Sequence, residues 1–141
     1  MTAPDVCDDA AFPAVPESMA GVRAYVRGAV ARYGTDVTEV AALLASEIAT
    51  NSIVHSRSGG IGGRIAVAVI DGDRTVRVQV RDEGSEESVP LPRAPGQPLR
   101  EHGHGLVLVA NLAARWGSEP TEDGGRLTWF ELHTDGSADG A

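Results

Sequence analysis

The spacing of apolar residues predicts two helices in the first part of the chain. Apolar side chains recur at helical intervals from Glu17 to Tyr33, and Gly34 is a natural terminator for this helix. A second helix is predicted from Asp36, a candidate N-cap, to about His55. The side chains predicted to face the core are Met19, Val22, Val26, Val30 and Tyr33 in the first helix and Val37, Val40, Leu44 and Ile48 in the second.

The residues that follow change to the two-residue period of β-strands. Residues 65–70 are nearly all apolar, and residues 74–82 alternate apolar with polar side chains. Asp71, Gly72 and Asp73 between them predict a hairpin turn. Beyond the proline-rich, aperiodic residues 83–104, the pattern predicts a helix over 106–116, a weak strand over 118–122, a turn at Gly124 and Gly125, and a strand over 126–133.

This order of elements predicts the fold class. Two helices, two strands, a helix and two strands do not alternate in the manner of a Rossmann domain. We therefore predict an α+β fold, a two-layer sandwich with helices on one face of a mixed, largely antiparallel sheet. Residues 12–133 are predicted to form one domain, and the acidic, aperiodic residues 1–11 and 134–141 are predicted to be flexible tails.

Composition narrows the classes of function. The chain has 141 residues and a formal net charge of -8, which argues against binding nucleic acid or an anionic membrane through a basic face. No apolar run approaches the ~18–20 residues of a membrane span, and the N-terminal residues lack the features of a signal peptide. The single cysteine cannot form an internal disulfide. We therefore expect a cytoplasmic protein.

Two polar residues interrupt the core face of the second predicted helix. Glu47 and Asn51 are four residues apart, so both side chains lie on the same face, one turn apart. A glutamate there can act as a general base, and an asparagine carbonyl oxygen is a hard ligand suited to a Mg²⁺ ion that mostly contacts phosphate and water. Taken alone, a hydrogen bond between the two side chains on the helix face is the simpler interpretation.

Two further features lie where predicted elements begin or end. Asp82 continues the inward alternation of its strand, so its carboxylate needs a donor such as a purine amino group, unless it caps the following turn. Gly103, His104 and Gly105 precede the third helix, where glycines allow backbone N–H groups to approach a phosphate closely. His102 and His104 have the spacing of a metal-binding pair, but no third ligand completes a set.

In this order, the motifs resemble those of the GHKL (Bergerat-fold) ATPases, and within them the small anti-sigma-factor serine kinases of Gram-positive bacteria. The resemblance spans residues 12–133 and is more specific than any one motif. The segments that carry it are residues 46–56 (SEIATNSIVHS) as the N-box, 80–84 (VRDEG) as the first glycine box, 103–106 (GHGL) as the second glycine box, and the typical segments 112–117 (LAARWG) and 125–132 (GRLTWFEL).

The resemblance implies a Bergerat ATP-binding fold with ATP and Mg²⁺ as cofactors. By this resemblance Glu47 would be the catalytic base, Asn51 would hold Mg²⁺ between the phosphates, and Asp82 would bind the adenine amino group. The further positions implied in cofactor binding are Gly84 beside the base, Gly103, His104, Gly105, Leu106 and Arg100 on the phosphate side under a lid of residues 85–102, and His55 lining the pocket.

The resemblance also implies the partners. A kinase of this type phosphorylates a serine of an anti-sigma-factor antagonist, which is a STAS domain, and sequesters a sigma factor; relatives often form homodimers. The alternative is an ATP-binding module that acts by protein contact alone, because Glu86 replaces the second glycine of the first glycine box and the lid has only Arg93 and Arg100 as cations. A sensor histidine kinase fragment fits less well, since we see no preceding dimerisation helix with a phospho-acceptor histidine.

Overall fold

A five-stranded antiparallel sheet forms one layer of the protein, in a computed structural model that describes residues 9–55, 63–83, 104–122 and 124–134. The strands are β1 (Ala10–Pro13), β2 (Arg64–Asp71), β3 (Thr75–Asp82), β4 (Arg115–Pro120) and β5 (Arg126–His133), and their order in the sheet is β1-β2-β3-β5-β4. The helices are α1 (Met19–Val30), α2 (Thr35–His55) and α3 (His104–Leu112), with 3-10 turns at Pro16–Ser18 and Ala31–Tyr33. The predicted α+β class is confirmed, with every described strand pairing antiparallel.

The hydrophobic core lies between the helices and one face of the sheet. On α1, Val22, Val26 and Val30 are completely buried, and on α2, Leu44 and Ile48 are at most 1% exposed. Of the other predicted core positions, Val37 is buried, while Met19, Tyr33 and Val40 pack partly buried against the same cluster. The helical spacing of the apolar residues therefore identified the buried faces of both helices.

The first strand is an element that the sequence pattern did not predict. Ala10 and Ala11 lie in the segment predicted as a flexible tail, but they pair with Val67 and Ala66 of β2. A four-residue strand is too short to show a period, so its sequence carries no clear β signal. The pairing is determined by the edge of β2, whose backbone groups need partners.

The start of α2 differs by one residue from the prediction. The helix begins at Thr35, so Asp36 lies in its first turn and is not the N-cap. Gly34, with φ of 101°, precedes the helix in a conformation that favours glycine. The Thr38 hydroxyl donates to the Gly34 carbonyl at 2.7 Å, which fixes the entry of the chain into the helix.

The predicted C-terminal end of α3 is wrong. The helix was predicted to continue to residue 116, but it ends at Leu112, and Trp116 lies in β4 opposite Phe130. The Ala113 N–H still donates to the Val109 carbonyl, whereas the Ala114 N–H donates to the Glu131 carbonyl of β5. The apolar run from residue 106 to 116 is compatible with either structure, and pairing with β5 decides where the helix stops.

Candidate functional site

Strand β3 carries Asp82 into the layer between the sheet and the helices. Val76, Val78 and Val80 are completely buried, and Asp82, the next residue in the alternation, is 7% exposed. Its inward orientation is therefore confirmed. A carboxylate at this depth is stable only where hydrogen-bond donors surround it, and this makes the end of β3 the polar end of an otherwise apolar strand face.

Helix α2 presents Glu47 and Asn51 at the boundary of its buried face. Ile48 beside them is buried, Leu43 one turn earlier is 40% exposed, and Glu47 and Asn51 are half-buried. No hydrogen bond joins the two side chains within the described part of the chain, unlike Ser46, whose hydroxyl donates to the Leu43 carbonyl at 2.9 Å. The simpler interpretation, a hydrogen bond between these two side chains, finds no support among the described residues, and the roles of Glu47 and Asn51 toward a ligand stay predictions.

The glycine turn leads directly into α3. The helix begins at His104, two residues earlier than predicted, so His104, Gly105 and Leu106 form its first turn. Backbone N–H groups at a helix start are unpaired within the helix and attract anions. α3 packs against α2, the helix that carries Glu47 and Asn51, and against β4.

Several predicted positions lie outside the described residues. Gly84, Gly103 and Arg100 belong to this group, as do the remaining residues of the predicted lid, 85–102, which include Glu86, Arg93 and His102. For His55, the last residue of α2, and for His104 and Leu106 in α3, the structure describes the backbone and not the side chain. Their roles stay predictions from the sequence.

Strands β4 and β5 add polar residues that the sequence analysis missed. In the sheet register Asp82 lies opposite Arg126, and Val80 lies opposite Thr128, so Arg126 and Thr128 share the inner face of the sheet with Asp82. Arg126 Nη1 donates to Ser118 Oγ at 3.0 Å, and Ser118 Oγ lies 3.2 Å from Thr128 Oγ1. The alternation of β5 is a signal that could have placed Arg126 on the inner face, but Asp82 as its neighbour across the sheet could be identified only from the register.

Gly125 allows β5 to approach the end of β3 closely. A Cβ atom at this position would lie 2.2 Å from the Asp82 carbonyl oxygen and 3.0 Å from Thr121 Oγ1. A contact of 2.2 Å is far inside van der Waals distance, so no other residue fits without displacing the backbone. Glycine at 125 therefore sets the spacing between Asp82 and the first residue of β5.

A cavity of about 530 Å³ opens at this end of the sheet. Asp82, Glu83 and Gly125 line it together with Arg64 and Arg81, so the described lining carries both signs of charge. The volume lies within the range of small-molecule sites, about 300–1,000 Å³. Arg81 and Ala66 lie opposite each other on the face of the sheet away from the helices, and Glu47 and Asn51 are not part of the described lining. The cavity therefore opens at the edge where β3 ends and does not outline the site predicted between the sheet and α2.

Neither a metal-binding cluster nor a membrane-spanning helix is found in the described part of the chain. Residues 9–55, 63–83, 104–122 and 124–134 contain no group of three or more His, Cys, Asp or Glu residues that could hold a metal ion. Over the same residues, no helix has both the length and the hydrophobicity that a bilayer span requires.

Comparison with known families decides what kind of domain this is. The family model described as "Histidine kinase-like ATPase domain" matches residues 12–130, most of the chain. The chain belongs to this ATPase family. The match includes Glu47 and Asn51 on α2, Asp82 on β3, and the start of α3. A search among curated proteins gave no match.

Membership of the histidine kinase-like ATPase family confirms the predicted GHKL-type fold and supports ATP binding. Domains of this kind commonly bind ATP with Mg²⁺. The residues of this ATPase domain fit both groups: Asp82 offers a buried carboxylate, which can accept from an amino group, and Asn51 offers a half-buried carbonyl oxygen. A single protein oxygen suffices for Mg²⁺ that takes its other ligands from phosphate and water.

Proposed function

We propose that this ATPase domain is a protein-serine kinase and an anti-sigma factor. It phosphorylates a STAS-domain antagonist and sequesters a sigma factor when that antagonist is modified. The observation that carries the proposal is Glu47, a half-buried carboxylate on α2 that no hydrogen bond ties to Asn51 in the described part of the chain. An ATP-binding module without chemistry has little use for such a group.

In this proposal Glu47 accepts the proton of a serine hydroxyl on the partner. Partial burial keeps the carboxylate oriented by α2, and partial exposure leaves it accessible to a side chain from another protein. Asn51, one turn further along α2, holds Mg²⁺, and Asp82 accepts a hydrogen bond from the adenine amino group. ATP, when bound, supplies the phosphoryl group that the serine oxygen receives.

Exposed apolar residues on α2 and α3 support a protein substrate. Leu43 lies four residues before Glu47 on α2, and therefore on the same face, and its side chain is 40% exposed. On α3, which packs against α2, Val107 is 37% and Leu112 is 46% exposed. An exposed apolar side chain on the face of the candidate base, with others on the neighbouring helix, favours contact with another protein over a small hydrophilic substrate.

A second candidate function is an ATP-binding module that regulates its partner by contact alone. The observation in its favour is Glu86, an acidic residue where the first glycine box has its second glycine. A carboxylate near the phosphates would oppose the binding of an anionic ligand by charge repulsion.

Phosphate transfer from labelled ATP distinguishes the two functions. The wild-type domain, incubated with Mg²⁺ and candidate STAS-domain proteins, is expected to label one of them on serine. Glu47→Gln should slow the transfer by about 10²–10⁴-fold, the usual contribution of a general base, while ATP affinity changes little. Glu39→Gln on the exposed side of α2 is the matched control, because its carboxylate only pairs with Arg27 at 3.3 Å on the surface.

The kinase proposal fails if the wild-type domain binds ATP but labels no STAS-domain protein. The same outcome would support the contact-only module. Equal transfer by wild type and Glu47→Gln would instead show that another group takes the serine proton.

A further inference from the structure

Arg126 has a buried donor that the protein itself does not satisfy. Its Nη1 donates to Ser118 Oγ at 3.0 Å, but its Nε is buried and has no hydrogen-bond partner. Among the described residues it is the only buried side-chain nitrogen or oxygen without a partner. A buried, unpaired donor on a charged group is costly, so such groups commonly serve a ligand.

The position of Arg126 points to which ligand it serves. In the register of the sheet Arg126 is directly opposite Asp82, and both side chains lie on the face that the helices cover. Side chains opposite each other on one sheet face have Cβ atoms about 4.5–5.5 Å apart. An acceptor on Asp82 and a donor on Arg126 are thus neighbours at the end of the sheet.

The guanidinium group is held in place on its far side. Ser118 Oγ, which accepts from Arg126 Nη1, lies 3.2 Å from Thr128 Oγ1, and Thr128 is only 6% exposed. These bonds to β4 and β5 anchor the end of the side chain, while Nε, nearer to the backbone along the same side chain, is left without a partner. A donor fixed in this way loses little conformational entropy when it binds a ligand.

We propose that Arg126 determines base specificity by donating from Nε to the adenine ring nitrogen beside the exocyclic amino group. The proposal deepens the proposed ATP site and rests on the assignment of Asp82 to that amino group. An amino donor next to a ring-nitrogen acceptor distinguishes adenine from guanine, and Asp82 with Arg126 supplies the complementary acceptor and donor. Arg126 is thus a specificity residue that takes no part in proton transfer.

Deaza analogues of ATP test the proposal by binding affinity alone. Calorimetric titration compares ATP with 1-deaza-ATP and 7-deaza-ATP, each of which lacks one ring nitrogen beside the amino group. The wild-type domain should bind one of the two analogues about tenfold or more weakly than ATP, because the analogue leaves the Arg126 donor unpaired. If both analogues bind the wild-type domain as tightly as ATP does, the proposal is overturned without any variant.

Arg126→Met completes the test, because it keeps much of the apolar stem and removes the donors. The variant should bind ATP about tenfold more weakly than wild type and should no longer discriminate between ATP and the deaza analogue. Arg115→Met on β4 is the control, since Arg115 is exposed and its contacts, with Glu131 at 3.7 Å and with the Trp129 ring centre at 5.9 Å, lie on the outer face of the sheet. Unchanged discrimination in Arg126→Met would show that Arg126 merely links β4 to β5.

A third analogue distinguishes failure of the Asp82 assignment from failure of the Arg126 proposal. Purine riboside triphosphate lacks the amino group but keeps both ring nitrogens. If the wild-type domain binds this analogue as tightly as it binds ATP, Asp82 does not bind the amino group. The proposal for Arg126 then loses its basis. A weaker affinity for this analogue, with no loss for either deaza analogue, would overturn the role of Arg126 and leave Asp82 in place.

Discussion

At the scale of single residues, the glycine at position 125 sets the spacing between the end of β3 and the start of β5. Gly125 is buried, and a methyl group on it would lie 2.2 Å from the Asp82 carbonyl oxygen. An alanine must therefore push the start of β5 away from the end of β3. Since Asp82 and Arg126 lie on these two strands, the displacement changes the spacing of the proposed base-binding pair.

Gly125→Ala is expected to lower both ATP affinity and stability. Overpacking of this kind costs about 1–3 kcal/mol, which urea unfolding will detect, and titration should show ATP affinity reduced by about tenfold. Gly28→Ala is the matched control: no atom lies within 4 Å of the Cβ it would add, and in α1 it should stabilise by about 0.5–1 kcal/mol. If Gly125→Ala binds ATP as tightly as wild type does, the close approach of the two strands at Gly125 does not determine the geometry of the ATP site.

At the scale of elements, one side-chain cluster ties the connection between α1 and α2 to the sheet. Asp71 at the end of β2 accepts hydrogen bonds from the Tyr33 hydroxyl and the Arg32 guanidinium, and the guanidinium carbon of Arg32 lies 4.7 Å from the centre of the Tyr33 ring. Burial, followed by the hydrogen bond to Asp71 and its negative charge, raises the pKa of Tyr33 above the ordinary 10.0. The cluster therefore depends on a protonated tyrosine.

The raised pKa predicts a loss of stability in alkali. Because the folded state holds the Tyr33 proton more tightly than the unfolded chain, this contribution is complete below the unfolded pKa of 10.0 and is lost as the pH rises through the raised value. The free energy of unfolding, measured in urea from about pH 8 to about pH 11, should fall less steeply in Tyr33→Phe than in wild type. Tyr25→Phe is the control, and equal slopes for Tyr33→Phe and wild type would contradict the assignment.

The elements also show where sequence patterns stop being informative. The long, amphipathic α1 and the alternating β3 and β5 could be predicted because their periods are expressed over many residues. Residues 106–116 are apolar throughout, so only the pairing of Trp116 with Phe130 reveals that a strand begins within that run. β1 is short and depends on the edge of β2, and no local pattern contains that information.

Some residues of the candidate site could likewise be predicted from the sequence, and one could not. Glu47, Asn51 and Asp82 could be found from sequence because each interrupts a regular apolar pattern, and the structure places them at the boundary of the core. Arg126 could not, since its significance depends on its position opposite Asp82 and on the unpaired Nε. Sequence spacing gives the face on which a residue lies, whereas cross-strand neighbours follow only from the register.

At the scale of the whole molecule, the two faces of the sheet have different roles. The helices cover the inner face, where Asp82 and Arg126 lie. On the outer face Arg77 stacks on the Trp129 ring at 4.0 Å and donates to Glu131 at 2.8 Å. A polar cluster of this kind stabilises a sheet face without a second layer of helices. The proposed nucleotide site contains Asp82, and it therefore belongs to the layer between the helices and the sheet.

The central claim is that this layer binds ATP through the buried carboxylate of Asp82. Isothermal titration of ATP with Mg²⁺ into wild type and Asp82→Asn tests it most directly, because asparagine keeps the shape but replaces one acceptor with a donor. Asp73→Asn in the exposed hairpin turn is the control. The account predicts measurable binding by wild type and Asp73→Asn and at least about a tenfold loss in Asp82→Asn. Equal affinity in all three would contradict it.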